Sequence, residues 1–123
     1  MSNISEVVVI DVSGVIEHRG TKHCVCVSVS AEKYLLINTN HRDIYDDFEI
    51  KSSEYAFLKP KNRFVCCSEM YHFDSDEIIK SVGTLNRNDM IKIVDKIQNS
   101  ESLKKAEKDF VILELGKWLS KNP

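Results

Sequence analysis

The clearest pattern in the chain runs from His23 to Ser30 (HCVCVSVS), where Val25, Val27 and Val29 alternate with Cys24, Cys26, Ser28 and Ser30. A period of two predicts a strand with distinct faces. Lys33–Thr39 (KYLLINT) predicts a second strand after a tight connection at Ala31-Glu32, so the two form a hairpin. Before them, Glu6–Val12 (EVVVIDV) is rich in β-branched residues and stops at the turn signal Ser13-Gly14, with a short strand expected over Val15–His18. After them come a polar loop over Asn40–Asp47, a short strand over Phe48–Lys51 and a turn over Ser53–Leu58. Strands over Asn62–Met70 and Glu77–Val82 complete this part, the last ended by Gly83.

From Asn86 the period changes. Asn86 is a good helix cap, Asp89 suits the positive end of the helix dipole, and Met90, Ile93, Val94 and Ile97 recur at helical spacing. This predicts a helix over Arg87–Gln98. A second helix follows, capped by Ser100 or Ser102, with Leu103, Ala106, Phe110, Leu113 and Lys117 along one stripe and Trp118 and Leu119 beside it. Val111, Ile112 and Leu115 widen its apolar surface, which suggests deep burial or a partner. Many short strands followed by helices predict an α+β fold: a small antiparallel barrel or curled sheet over about residues 6–85, with helices over 87–98 and 102–119.

Composition narrows the class. A chain of 123 residues, 42% hydrophobic and 29% charged, fits one domain with a core. No apolar stretch reaches membrane-spanning length and no secretory signal opens the chain, so a cytoplasmic protein is expected. The formal net charge of −2 excludes a protein that coats nucleic acid through its overall field; any such contact needs a local basic patch. The four cysteines, Cys24, Cys26, Cys66 and Cys67, form C-x-C and C-C pairs rather than a zinc-knuckle spacing. Adjacent Cys66 and Cys67 must face opposite ways on a strand. Structural thiols are expected, and neither metal nor cofactor.

No phosphate-binding glycine loop, metalloprotease motif or serine-nucleophile elbow occurs. What remains is a cluster set by hairpin geometry. His18, Arg19, Lys22 and His23 precede one strand and Thr39, Asn40, His41 and Arg42 follow its partner, so both groups meet at one rim of the sheet. Such a set can bind a phosphate, offset charge developing on it and supply a histidine for proton transfer. Solvated loop ends are the ordinary alternative. The acidic run Asp43, Asp46, Asp47 and Glu49 has the oxygens for a divalent cation but lacks an EF-hand's glycine and closing glutamate.

Thr21–Ser30 (TKHCVCVSVS), Leu35–Asn40 (LLINTN), Phe57–Ser68 (FLKPKNRFVCCS) and Ser81–Met90 (SVGTLNRNDM), in that order, resemble segments of the MazF/PemK-type endoribonuclease toxins. The likeness covers about residues 21–97. It implies an SH3-like barrel followed by a helix, and metal-independent cleavage of single-stranded RNA through attack of a 2′-hydroxyl on the adjacent phosphorus. By motif position Lys22 or His23 stands where the family has an arginine, and Thr39 where it has a threonine. The family's Arg-Pro pair is absent, the sequence reading Lys22-His23-Cys24. Lysine keeps the charge without the bidentate fork, His23 can serve as acid or base, and Arg19, Arg42 or Arg63 is left to supply a guanidinium.

The resemblance thus implies Lys22, His23 and Thr39 as the catalytic group, with Arg19, Asn40, His41, Arg42 and Arg63 contacting RNA. It also implies a homodimer and an antitoxin partner. The competing reading keeps the barrel and drops catalysis, leaving a protein-binding or regulatory module.

Overall fold

The computed structural model describes residues 2–11 and 20–123. The short strand expected over Val15–His18, and Arg19 with it, lie outside the described residues. Seven strands, β1 (Glu6–Asp11), β2 (Thr21–Ser28), β3 (Lys33–Asn38), β4 (Phe48–Ile50), β5 (Arg63–Val65), β6 (Tyr71–His72) and β7 (Ile78–Thr84), precede two helices, α1 (Arg87–Gln98) and α2 (Lys105–Lys121). The strands pair antiparallel in the order β4-β5-β3-β2-β1-β7, with β6 added to β3. The fold is therefore α+β. The pairing is an open path with β4 and β7 at its ends, not the closed ring of a barrel.

The β2–β3 hairpin has the expected register, with His23 opposite Ile37 and Val25 opposite Leu35, and a bulge where Cys26 and Ser28 face Tyr34 and Lys33. The alternation along β2 divides it into two faces as expected, and both are buried. Val7, Val25, Val27, Leu35, Ile37, Val65 and Cys67 pack under α1 and α2, while Val8, Ile10, Cys24, Cys26, Tyr34, Leu36, Cys66 and Phe73 form a second cluster. Cys66 and Cys67 divide between the two, as adjacent strand residues must. All four thiols are free and buried, and burial pushes those of Cys24 and Cys26 up to about 12. Such thiols are poor nucleophiles.

Asn86 caps α1, its side chain accepting from the Asp89 N–H at 2.9 Å, and Met90, Ile93 and Ile97 are buried. The α2 stripe differs from the expected one. Val111 and Leu115 are buried, whereas Phe110 and Leu113 are 49% and 62% exposed. Ser100 organises the turn before α2 by accepting from the N–H groups of Ser102 and Leu103, but the cap position falls to Lys104. Glu114 reaches the β2–β3 turn and accepts from the Ser28 and Ser30 hydroxyls at 2.7 and 2.9 Å and from the Val29 N–H at 2.8 Å. No described helix is long and apolar enough to cross a membrane.

Candidate functional site

Strand alternation splits the expected rim cluster in two. His23 pairs with Val9 and Ile37, and Val9 pairs in turn with Lys80, which puts His23 and Lys80 on the helix-covered side. Lys22 pairs with Ile10 and points the other way. Lys22 and His23 therefore cannot act on one phosphate from the same face. The Lys22 Nζ donates to Asn38 Oδ1 at 2.5 Å.

On the first side, His23 is half-buried and its ring stacks on Phe57, centroids 6.3 Å apart and planes inclined by 14°. Burial lowers its pKa below the ordinary histidine value, and the charges of Arg63 and Lys80 lower it further. The imidazole is thus neutral at pH 7, with a lone pair for a proton. Arg63, at the start of β5, is partly buried, and its Nε is buried without a hydrogen-bond partner among the described residues. A buried guanidinium N–H left unpaired costs free energy that an anionic oxygen would recover. Among the described residues neither Arg63 nor Lys80 forms an ion pair.

On the other side, Asn38 pairs with Phe64, and the His41 ring packs on Phe64 at 5.7 Å. His41 is already engaged. Its Nδ1 meets Asp47 and its Nε2 meets Asp43 at 2.9 Å, and these carboxylates raise its pKa. Asp47 also accepts from the Arg42 N–H, and the Arg42 guanidinium lies 5.5 Å over the Tyr45 ring. Asp46 pairs with Lys96 at 3.2 Å. The acidic run therefore neutralises His41 and Lys96, which accounts for three of its four carboxylates. Thr39 and Asn40 follow β3 in a bend and are exposed.

Of the residues named from sequence, His23 and Arg63 come together; Lys22 and His41 lie apart from them, linked through Asn38 and Phe64, with Thr39, Asn40 and Arg42 in the exposed connection beyond β3. Phe57 and Lys80 were not anticipated. Lys80 reaches His23 only because β7 pairs with β1, a contact between strands far apart in sequence. The only signal for Phe57 was its place at the start of the Phe57–Ser68 segment that carries part of the resemblance.

No protein-family model and no curated protein matches the chain. Among solved structures, an endoribonuclease in complex with its cognate antitoxin, from a mycobacterial species, aligns over 85% of this chain and 98% of its own with a TM-score of 0.61. The two sequences are 18% identical, so the likeness establishes a shared fold.

Proposed function

We propose that the chain is a toxin-like endoribonuclease that cuts single-stranded RNA without a metal, centred on His23. The observation that carries this reading is a neutral, half-buried imidazole beside two cations that, among the described residues, have no carboxylate partner, one of them with a buried unpaired N–H. His23 takes the proton of a ribose 2′-hydroxyl as its oxygen attacks the adjacent phosphorus. The 2′-O–P bond forms, the P–O5′ bond breaks, and the leaving 5′-oxygen takes a proton from water. A 2′,3′-cyclic phosphate remains. Arg63 and Lys80 offset the charge building on the non-bridging oxygens. Lys22, Thr39, Asn40, His41 and Arg42 then serve the flanking strand rather than the reacting phosphate, with Arg19 left as a further contact from the resemblance.

The fold shared with an antitoxin-bound endoribonuclease supports this reading. We read the curled sheet as an opened variant of the MazF/PemK SH3-like barrel, working in the cytoplasm. The exposed Phe110 and Leu113 of α2 offer an apolar surface for a homodimer or an antitoxin segment. A monomer in sedimentation at micromolar concentration and above would remove the dimer.

The test is incubation with a defined single-stranded RNA in EDTA, with product ends mapped. Discrete cuts ending in cyclic phosphate are expected, lost in His23→Ala and Arg63→Met and largely kept in Lys22→Met. Cutting that survives His23→Ala defeats the assignment. A folded protein that binds RNA and leaves it whole is instead a binding module.

A further inference from the structure

We propose that Phe57 is a stacking platform for the base next to the reacting phosphate, which makes unpaired RNA the substrate. This rests on the ribonuclease reading above. Phe57 sits in a single 3-10 turn, Ala56–Leu58, whose flanking Tyr55 and closing Leu58 are both buried. The Tyr55 hydroxyl donates to the buried Asp89 carboxylate and accepts from the Asn86 N–H at 3.0 Å, tying the turn to the start of α1. The Tyr55 and Phe57 rings meet at 5.5 Å. From the other side, β7 leaves room for the ring only because residue 83 is glycine. A Cβ there would stand 2.8 Å from Phe57 Cδ1 and 2.9 Å from Cε1.

These contacts hold a half-exposed aromatic ring beside the imidazole, between Arg63 on β5 and Lys80 on β7. Cations that track a phosphate and a ring that meets a base face are the two parts of a single-strand site. In an A-form duplex the bases are stacked on one another and present no free face to a side chain. The platform therefore selects loops and single strands, and it places the ribose near the His23 nitrogen.

The test uses a pool of fluorescent 2′-O-methyl oligonucleotides of random sequence, which lack the attacking hydroxyl and so report binding alone. Anisotropy is expected to show Phe57→Leu, which keeps apolar bulk, binding about ten- to a hundredfold more weakly than the native chain. Phe57→Tyr should bind like the native protein, and Gly83→Ala should weaken binding by displacing the ring. A duplex of the same length should not distinguish Phe57→Leu from the native protein. Equal binding of the single strands by native protein and folded Phe57→Leu overturns the proposal, as does a native protein that binds no single strand. The two readings fail separately. Ring-dependent binding with ordinary RNA left uncut keeps the platform and removes the nuclease, whereas cutting with ring-independent binding does the reverse.

Discussion

Glu114→Ala is expected to be the most costly substitution on the surface of α2. The carboxylate collects four donors from one turn: the hydroxyls of Ser28 and Ser30 and the N–H groups of Val29 and Ser30, the last at 3.4 Å. Burial on its own would raise the pKa of this carboxyl, but the hydrogen bonds outweigh it and hold the group below its ordinary value. Hydrogen bonds to a charged group contribute about 1.5–3 kcal/mol each, yet they are not additive here. The exposed Ser30 can turn to water, and the buried Ser28 hydroxyl also accepts from the Ala31 N–H. Counting one shielded bond in full and discounting the solvated ones for screening gives about 2 kcal/mol. For a domain of this size that is a fall in Tm of about 8 °C. A carboxyl with a depressed folded pKa stabilises above its unfolded pKa, and the contribution is lost as pH falls through the folded value. The gap between native and Glu114→Ala proteins in urea should thus be widest at neutral pH and close on acidification. A difference below about 0.5 kcal/mol at pH 7 would refute the reasoning.

Other outcomes follow from the same contacts. In the proposed reaction His23 acts as base only when neutral, so kcat/KM for RNA should be level at neutral pH and fall tenfold per pH unit below its depressed pKa; an acid limb above pH 6.5 would contradict the burial and the two cations that lower it. His41 holds a carboxylate at each ring nitrogen, so both nitrogens must carry protons, and its raised pKa stabilises the fold below the unfolded value and is lost as pH rises through the folded one. His41→Ala should therefore cost more at pH 6 than at pH 9 in urea titrations, and equal costs would exclude the clamp. Tyr55→Phe removes the hydroxyl between the buried Asp89 and the Asn86 N–H, leaving Lys92 at 3.5 Å as the other partner of that carboxylate. A loss of about 1–3 kcal/mol in thermal melts is expected, and an unchanged melt would mean that water replaces the hydroxyl.

The hairpin and the capped first helix were legible because they depend on neighbours within a few residues, whereas β6 was not expected and the strand over Asn62–Met70 shrinks to Arg63–Val65. The alternation of His23–Ser30 and the Asn86 cap are visible in any window that contains them. The second core cluster was not. Structural thiols were expected, but the alternation does not say what covers them; Val8, Ile10, Tyr34, Leu36 and Phe73 join Cys24 and Cys26 from other parts of the chain. On α2 two apolar stripes compete, and the choice falls to Val111 and Leu115 because Glu114 lies between them and meets a turn more than 80 residues earlier. The site was half legible. Hairpin geometry brought Lys22 and His23 to the rim, but the period of two that separated Cys66 from Cys67 also separates this pair.

On the proposed reading, the division of the rim lets a chain of net negative charge hold an anionic polymer. His41 is met within the fold by Asp43 and Asp47, and Lys96 by Asp46, while Lys22 meets Asn38 and Arg42 meets the Tyr45 hydroxyl and ring. Around His23, Arg63 and Lys80 lack carboxylate partners among the described residues, and their fields fall on a partly desolvated imidazole where screening is weak. Leaving cations uncompensated there disfavours protonation of His23 before a ligand arrives. A phosphate binding between them cancels much of that field, so the imidazole becomes more basic as the substrate settles. On that reading the same two cations keep the proposed base free when the site is empty and make it a better proton acceptor when a phosphate fills it. Moving either cation to the other side, where Lys22 already sits against Asn38, would break both effects at once.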